Sequence, residues 1–466
     1  MGKSKHFRLL MILFVDFLVI SACVGASDEM IPEYENAVYA EDLDGFIIKW
    51  AWTAADTTFG YVPGTNFSDM ALERKKEVEN KLNCKIDVDY NSNAASLYQA
   101  SVMTGSHYCD LLTTGNTISA LIRGGYFAGL SSFLDLDDTF KWGSPITLSS
   151  AAWKDDVYAV CPASWPELFL ASASYPIVVN ESLVSKYGLE DPRVYVENGT
   201  WNWDKFEECI QAFTIQDGEN KVYGFMTHPP YFGVSMVLSN GVTFTQVENG
   251  KVTCGLYSEN GRAALERARS IMFETCSDCI HPETECYFQK GVDLFLSNAS
   301  VMYTSRGDDL LSGTDSIIFN FSDIGIVPYP YGPNGKPGVY LGYNQGLNYA
   351  TALTLNSADA DASVKILSEM FEPFEGYETK EKLIEYMSKQ IFSDKRDAEI
   401  YYSLLENTEY GYYNEGGRKL VDNIFVSAKS VSEILESFES QYSDLIENYM
   451  TPVYEGLTAV YGEMPQ

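Results

Sequence analysis

The first third of the chain alternates short apolar runs with stretches of helical spacing. Phe46-Ile47-Ile48-Lys49-Trp50-Ala51-Trp52 is apolar and aromatic, which predicts a buried strand. Good helix formers around Leu72, Lys75, Lys76 and Glu79 predict a helix over 70–82. Ile86 to Tyr90 alternates as a second strand, 94–104 reads as a second helix, and Asp110 to Thr114 reads as a third strand running into Gly115-Asn116. This β-α-β-α-β order predicts an α/β lobe with a mainly parallel sheet. Ligands of such sheets sit beyond the carboxyl ends of the strands. Here those ends carry Trp50, Trp52, Thr53, Thr114, Gly115 and Asn116. One tryptophan of the pair is expected to face a cleft and the other the core, and Trp52 lies nearer the strand end.

A second unit begins after Lys154 to Val160. Tyr175 to Val179 reads as a strand leading into Asn180. Asn202 is a helix cap, with Asp204 in the first turn and Trp203, Phe206, Ile210 and Phe213 on one buried face. Residues 242–244 and 251–253 flank Asn249-Gly250, a hairpin signal. A helix is predicted from Ser258 to Ile271, and helical spacing returns from Val431 to Tyr449. No fixed-period repeat is present. The segment 369–414, rich in Tyr and Glu, stays unassigned.

The N-terminus carries Lys3, Lys5 and Arg8, then an apolar run from Leu9 to Ile20 broken by Asp16. A span needs about 20 apolar residues, so this run is too short for one and reads as a secretory leader. It ends in Ile20-Ser21-Ala22-Cys23, which resembles a bacterial lipobox, with cleavage before Cys23 and a lipid on its sulfur. Residues 1–22 are then the leader. Residues 23–45 form an anchored acidic tether whose reach is about 25 Å.

Composition narrows the partners. The 466 residues carry 32 Lys and Arg against 65 Asp and Glu, a net charge of −33, and loss of Lys3, Lys5, Arg8 and Asp16 with the leader makes it −35. Such a chain lacks the clustered cations that bind nucleic acid or anionic lipid headgroups. With 45% hydrophobic and 14% aromatic residues it is not a disordered acidic tail.

Beyond Cys23, eight cysteines remain, at 84, 109, 161, 209, 254, 276, 279 and 286. In so long a chain they are not a disulfide scaffold. Cys276, Cys279, His281 and Cys286 have the residue types of a zinc site. No second Cys-x-x-Cys supports it, and a local disulfide or free thiols fit better. Asp87, Asp89 and Asn91 open like a calcium loop but lack its glycine and its twelfth-position acid, so no metal is expected. His-Glu-x-x-His, Gly-x-Ser-x-Gly and P-loop patterns are absent.

Several ordered segments resemble the family 1 extracellular solute-binding proteins of bacterial ABC importers, relatives of the maltose-binding protein. They are Lys154 to Val160 with Tyr175 to Asn180; Val184 to Leu189, Asp191-Pro192 and Gly199 to Phe206; Asn240 to Val242, Asn249 to Thr253 and Ser258 to Leu265; and Phe295 to Met302, Arg306-Gly307 and Ile324 to Lys336. Val160-Cys161-Pro162 departs from the family's usual Gly-Leu-Pro type of stretch. The resemblance implies an α/β, two-lobed type II periplasmic-binding-protein fold with a hinge and an interlobe cleft that closes on its ligand. The N-terminal lobe is expected at 46–160 plus 300–345, and the C-terminal lobe at 165–298 plus 350–466.

The resemblance also implies a carbohydrate ligand, either a mono- or an oligosaccharide, and permease subunits as partners. It implies a monomer on the outer face of the cytoplasmic membrane, of Gram-positive type, held in the bilayer through Cys23. No catalysis and no cofactor are implied. A non-sugar solute receptor or a surface adhesin is the alternative reading. A glycosidase is less favoured, although it needs only two placed carboxyls.

A sugar site needs aromatic faces for stacking and polar side chains for directed hydrogen bonds. Position singles out Trp52 and Asn116 at strand ends, and Trp165 and Glu167 after the first crossover. Tyr231 and Phe232 come next in an aromatic loop, Arg306 and Asp308 come after the strand at 300, and Tyr343 and Gln345 lie at the last crossover. Trp52→Ala or Trp165→Ala is expected to weaken sugar binding. Trp201, Trp203 and Tyr158 are expected to be structural.

Overall fold

Two sheets are built from β1 (Phe46–Trp52), β2 (Cys84–Tyr90), β3 (Leu111–Thr114), β4 (Ile177–Asn180), β5 (Ile215–Asp217), β6 (Asn220–Met226), β7 (Ser300–Thr304), β8 (Ile324–Val327) and β9 (Ala350–Leu353). They belong to a computed structural model that describes residues 42–168, 175–311, 314–344, 347–410 and 417–462. The leader, Cys23 and Gln345 lie outside the described residues.

The first sheet runs β9-β3-β1-β2. β1 pairs in parallel with β2 and β3, and β9 closes the edge antiparallel to β3. The register sets Trp52 opposite both Tyr90 and Thr113, so three strand ends finish level. Trp50 and Trp52 do not diverge. Residues two apart on a strand share a face, and their ring centroids lie 5.9 Å apart with both side chains fully buried. The helix Asn66–Leu82 packs beside this sheet against the helix Ala360–Met370.

The second sheet runs β8-β4-β7-β6-β5. β7 pairs in parallel with β6 and antiparallel with β4. Its Ser-Val-Met-Tyr-Thr sequence is buried throughout, as a central strand must be. This changes the expected lobe boundaries. Residues 300–327 belong with the second sheet, and β9 with the first. A buried apolar run announces a strand but not which sheet receives it.

The chain passes from the first sheet to the second between β3 and β4, and back between β8 and β9. It then returns to the second sheet through the helix Lys395–Glu406, whose Asp397 accepts the Ile326 N–H at 2.7 Å. The acidic segment is already tied down before residue 46. Leu43 and Gly45 donate backbone N–H groups to the Leu82 and Asn83 carbonyls at 2.9 Å each. Among the described residues no helix is long and apolar enough to cross a membrane.

Candidate functional site

Two aromatic groups gather at the strand ends, one per sheet. On the first, the Trp52 ring is enclosed by Phe59 at 5.6 Å, Tyr349 at 6.1 Å and Tyr90 at 6.5 Å between centroids. Its indole Nε1 is buried with no hydrogen-bond partner among the described residues, a state that costs free energy unless something accepts from it. The loop after β1 closes over this ring. Phe59 holds φ 48° and donates its N–H to the Tyr90 hydroxyl at 3.0 Å. Gly60 is next at φ +90°, where a Cβ would stand 2.5 Å from Leu168 and 2.8 Å from Tyr349. Only glycine meets both demands.

On the second sheet, Tyr175 stacks on Tyr231 at 4.2 Å and on Tyr343 at 5.8 Å. His228 packs against Tyr231 at 4.7 Å and Tyr287 at 4.6 Å. The His228 Nδ1 lies 2.7 Å from the Thr284 carbonyl and must donate to it, which leaves Nε2 as the acceptor of a neutral ring. Burial pushes this imidazole below its ordinary range, against the pull of the Thr284 carbonyl.

Arg306 comes directly after β7. Its guanidinium lies over the Phe288 ring, 4.2 Å from the centroid, and bonds Asp308 at 2.7 Å. Burial would lower its pKa, but Asp309 and Asp308 outweigh that and hold it above the ordinary value. Burial, and after it the Asp308 charge, push the Tyr349 hydroxyl above its ordinary range.

The remaining expected residues fall elsewhere. Trp165 is 1% exposed, stacked on Tyr61 and tilted against Phe374, and its Nε1 donates to the Glu372 carbonyl at 3.2 Å. Phe232 is fully buried among Phe206, Phe225 and Tyr329. Both are packing residues, because neither a free ring face nor a free polar atom remains. The stretch expected as an aromatic loop is the helix Pro229–Ser239. Its two prolines fall in the first turn, where no N–H is needed. Glu167 is exposed and accepts from the Tyr386 hydroxyl, and Asn116 is exposed at the end of β3. Sequence reasoning missed Tyr175, His228, Tyr287 and Tyr349. Tyr349, at φ 55° just before β9, carries no local signal that could have found it.

A groove of about 630 Å³ lies apart from these residues and is lined by Phe133, Asp135, Asp138, Lys141, Asp359 and Lys365. It contains none of the strand-end aromatics. Among the described residues no group of three His, Cys, Asp or Glu is placed to hold a metal ion. The strand-end groups combine aromatic rings, hydroxyls, a carboxylate and a neutral imidazole, the residue types that a polyhydroxylated solute with apolar C–H faces calls for, and Trp52, Tyr175, Tyr231 and Tyr343 among them are buried.

No protein-family model matches the chain, and no curated protein matches it in sequence. Solved structures do share its fold. The GacH receptor of Streptomyces glaucescens, solved unliganded and with acarbose, aligns with a TM-score of 0.55 at 16% identity, over 87% of this chain and 99% of that one. A cyclo/maltodextrin-binding protein complexed with maltotetraose aligns with a TM-score of 0.59 at 11% identity, over 87% and 99%. An ABC substrate-binding protein of Listeria monocytogenes, solved with cycloalternan, aligns with a TM-score of 0.54 at 15% identity, over 87% and 100%. The fold is therefore the two-domain α/β fold of the maltose-binding-protein type.

Proposed function

We propose that the chain is a carbohydrate receptor that takes a mono- or oligosaccharide between its two sheets and delivers it to the permease of an ABC importer. One observation carries this reading. Aromatic rings gather at the strand ends of both sheets, and the Arg306–Asp308 ion pair follows directly on the end of β7. The fold neighbours give independent support, since those proteins were solved with oligosaccharides or related sugars. The lipobox-like Ile20 to Cys23 supports lipid anchoring outside the cell, with the folded body a short tether from the membrane. The fold neighbours are binding proteins, which supports binding without cleavage.

A glycan and metabolite panel read by thermal shift tests the reading, because a ligand that binds the folded state raises its apparent stability. Stabilisation by sugars is expected, with the oligosaccharide recovered intact afterwards. Stabilisation by peptides or metal ions alone overturns the sugar assignment, and cleaved product moves the reading to a glycosidase. Within a positive panel, Asp308→Asn is expected to weaken binding about tenfold, roughly the 1.5 kcal/mol that a charged acceptor adds to a hydrogen bond.

A further inference from the structure

Cys276 and Cys279 lie at the root of the segment that frames the second aromatic group. Cys276 ends the helical stretch running from Glu259 through Thr275. The Cys279 N–H donates to the Cys276 carbonyl at 2.8 Å, and the Ile280 N–H reaches the same carbonyl at 3.1 Å. A turn closed in this way holds its first and fourth Cα atoms within about 7 Å, which overlaps the separation a disulfide requires. Burial pushes the Cys276 thiol up, and the nearby Cys279 sulfur adds to the rise. Cys276 is 1% exposed, whereas Cys279 is half-buried and open to a reagent. Cys286 stands apart, with its thiol donating to the Glu283 carbonyl at 2.9 Å.

Residues 280–288, just past this turn, form one wall of the site. The Cys279 carbonyl accepts from Gly224 at 3.1 Å, and His281 donates to the Phe225 carbonyl at 2.9 Å, so the segment rides on the edge of β6. Thr284 then holds His228, and Phe288 lies beneath Arg306.

We propose that Cys276 and Cys279 are oxidised to a disulfide that clips this turn and fixes the wall carrying Thr284, Tyr287 and Phe288. The inference rests on the extracellular setting proposed above, because disulfides persist in oxidising compartments. The oxidant is a low-molecular-weight disulfide. The Cys279 thiolate attacks one of its sulfurs and expels a thiolate, and the Cys276 thiolate then attacks the mixed disulfide and expels the second. The protein loses two protons and two electrons, one S–S bond forms, and the oxidant is reduced to two thiols.

The test uses the full chain secreted from cells and unfolded in denaturant containing iodoacetamide, with and without prior dithiothreitol, and then peptide mass mapping. Without reductant, Cys286 is expected to be alkylated, while Cys276 and Cys279 are protected in a peptide two mass units lighter. After reductant all three are alkylated. Alkylation of Cys276 and Cys279 without reductant, or a bond from either to Cys286, overturns the proposal. Denaturant keeps burial from imitating protection. The same preparation is titrated with the sugar found in the panel. Sugar binding by protein whose thiols all alkylate sinks the clip and leaves the receptor reading intact. Cys279→Ser is expected to weaken sugar affinity severalfold and to remove its sensitivity to dithiothreitol. If that variant does not fold, the mass map of the unaltered chain decides alone.

Discussion

Arg193 is enclosed by carboxylates on several sides. It bonds Asp191 through Nε, reaches Asp397 at 3.0 Å through a terminal nitrogen, and also meets Glu181. Asp397 is fully buried and accepts the Ile326 N–H, so the pair ties the helix Lys395–Glu406 to the edge strand β8. Burial pushes the Asp397 carboxyl up to about 6 even with Arg193 against it. Desolvation thus wins on the acid, and the arrangement depends on both partners remaining. Arg193→Met is expected to cost about 3–5 kcal/mol, because it leaves a buried carboxylate unpaired. Arg193→Met combined with Asp397→Leu should recover most of that in urea unfolding, and a double variant as unstable as the single one would refute the account. None of this was legible in the sequence. Arg193 looked like the residue after Asp191-Pro192, and its long-range partner sits in the unassigned segment 369–414. The same scale explains the site. Arg306 and Asp308 could be named because they come after a strand-like run and Tyr231 because it lies in an aromatic stretch, whereas Tyr175 and Tyr349 arrive through pairings that no local pattern records.

Elements were read more accurately than their assembly. The helix at 94–104 is Ala94–Thr104, ended by Gly105 at φ 67° as its cap. Asn202 caps the helix Trp203–Ala212 through the Lys205 N–H at 3.0 Å. The hairpin around Asn249-Gly250 forms, but its first strand is Thr245–Glu248 rather than 242–244. The reason is tertiary. The Phe244 N–H is drawn to the buried Glu409 carboxylate at 3.0 Å instead of to a ladder partner. Near the C-terminus, Ser430 and Glu433 form a reciprocal cap, with the Ser430 N–H donating to the Glu433 carboxylate at 2.8 Å. Ser430→Ala is expected to lower stability by about 1 kcal/mol. An unchanged urea midpoint would show that packing of Ile434 and Leu435 alone holds that helix start. Gly60→Ala acts on a loop instead. The strained φ and the contact with Tyr349 should weaken sugar binding more than stability, and titration beside thermal melts separates the two.

At the scale of the whole molecule, one acidic residue sits where several parts of the chain meet. The strand Thr408–Tyr410 pairs in parallel with Gly342–Asn344, so Glu409 lies opposite Tyr343. Tyr343 packs on Phe244 at 5.7 Å and on Tyr175 at 5.8 Å, next to the second aromatic group. Ser144, from the part of the chain before the first crossover, donates to the Glu406 carbonyl at 2.8 Å just upstream. Glu409 is 3% exposed, and burial pushes its carboxyl from 4.5 to about 7, against the backbone N–H groups of Phe244 and Thr245. Between those values the folded chain keeps a proton that the unfolded chain releases. Stability therefore falls as pH rises from about 4.5 to about 7, by on the order of 3 kcal/mol if nothing relaxes. Glu409→Gln preserves an acceptor for the Phe244 N–H and removes the titration. The variant should match the unaltered protein near pH 4 and exceed it in melting temperature near pH 8. Comparing the two chains isolates this group from Asp397 and from the acidic surface, which titrate alike in both. If the two melting curves run parallel across that range, Glu409 does not titrate there. If they separate, sugar affinity should weaken with rising pH in the unaltered chain alone, because the ionised carboxylate then strains the ladder that holds Tyr343 against Tyr175.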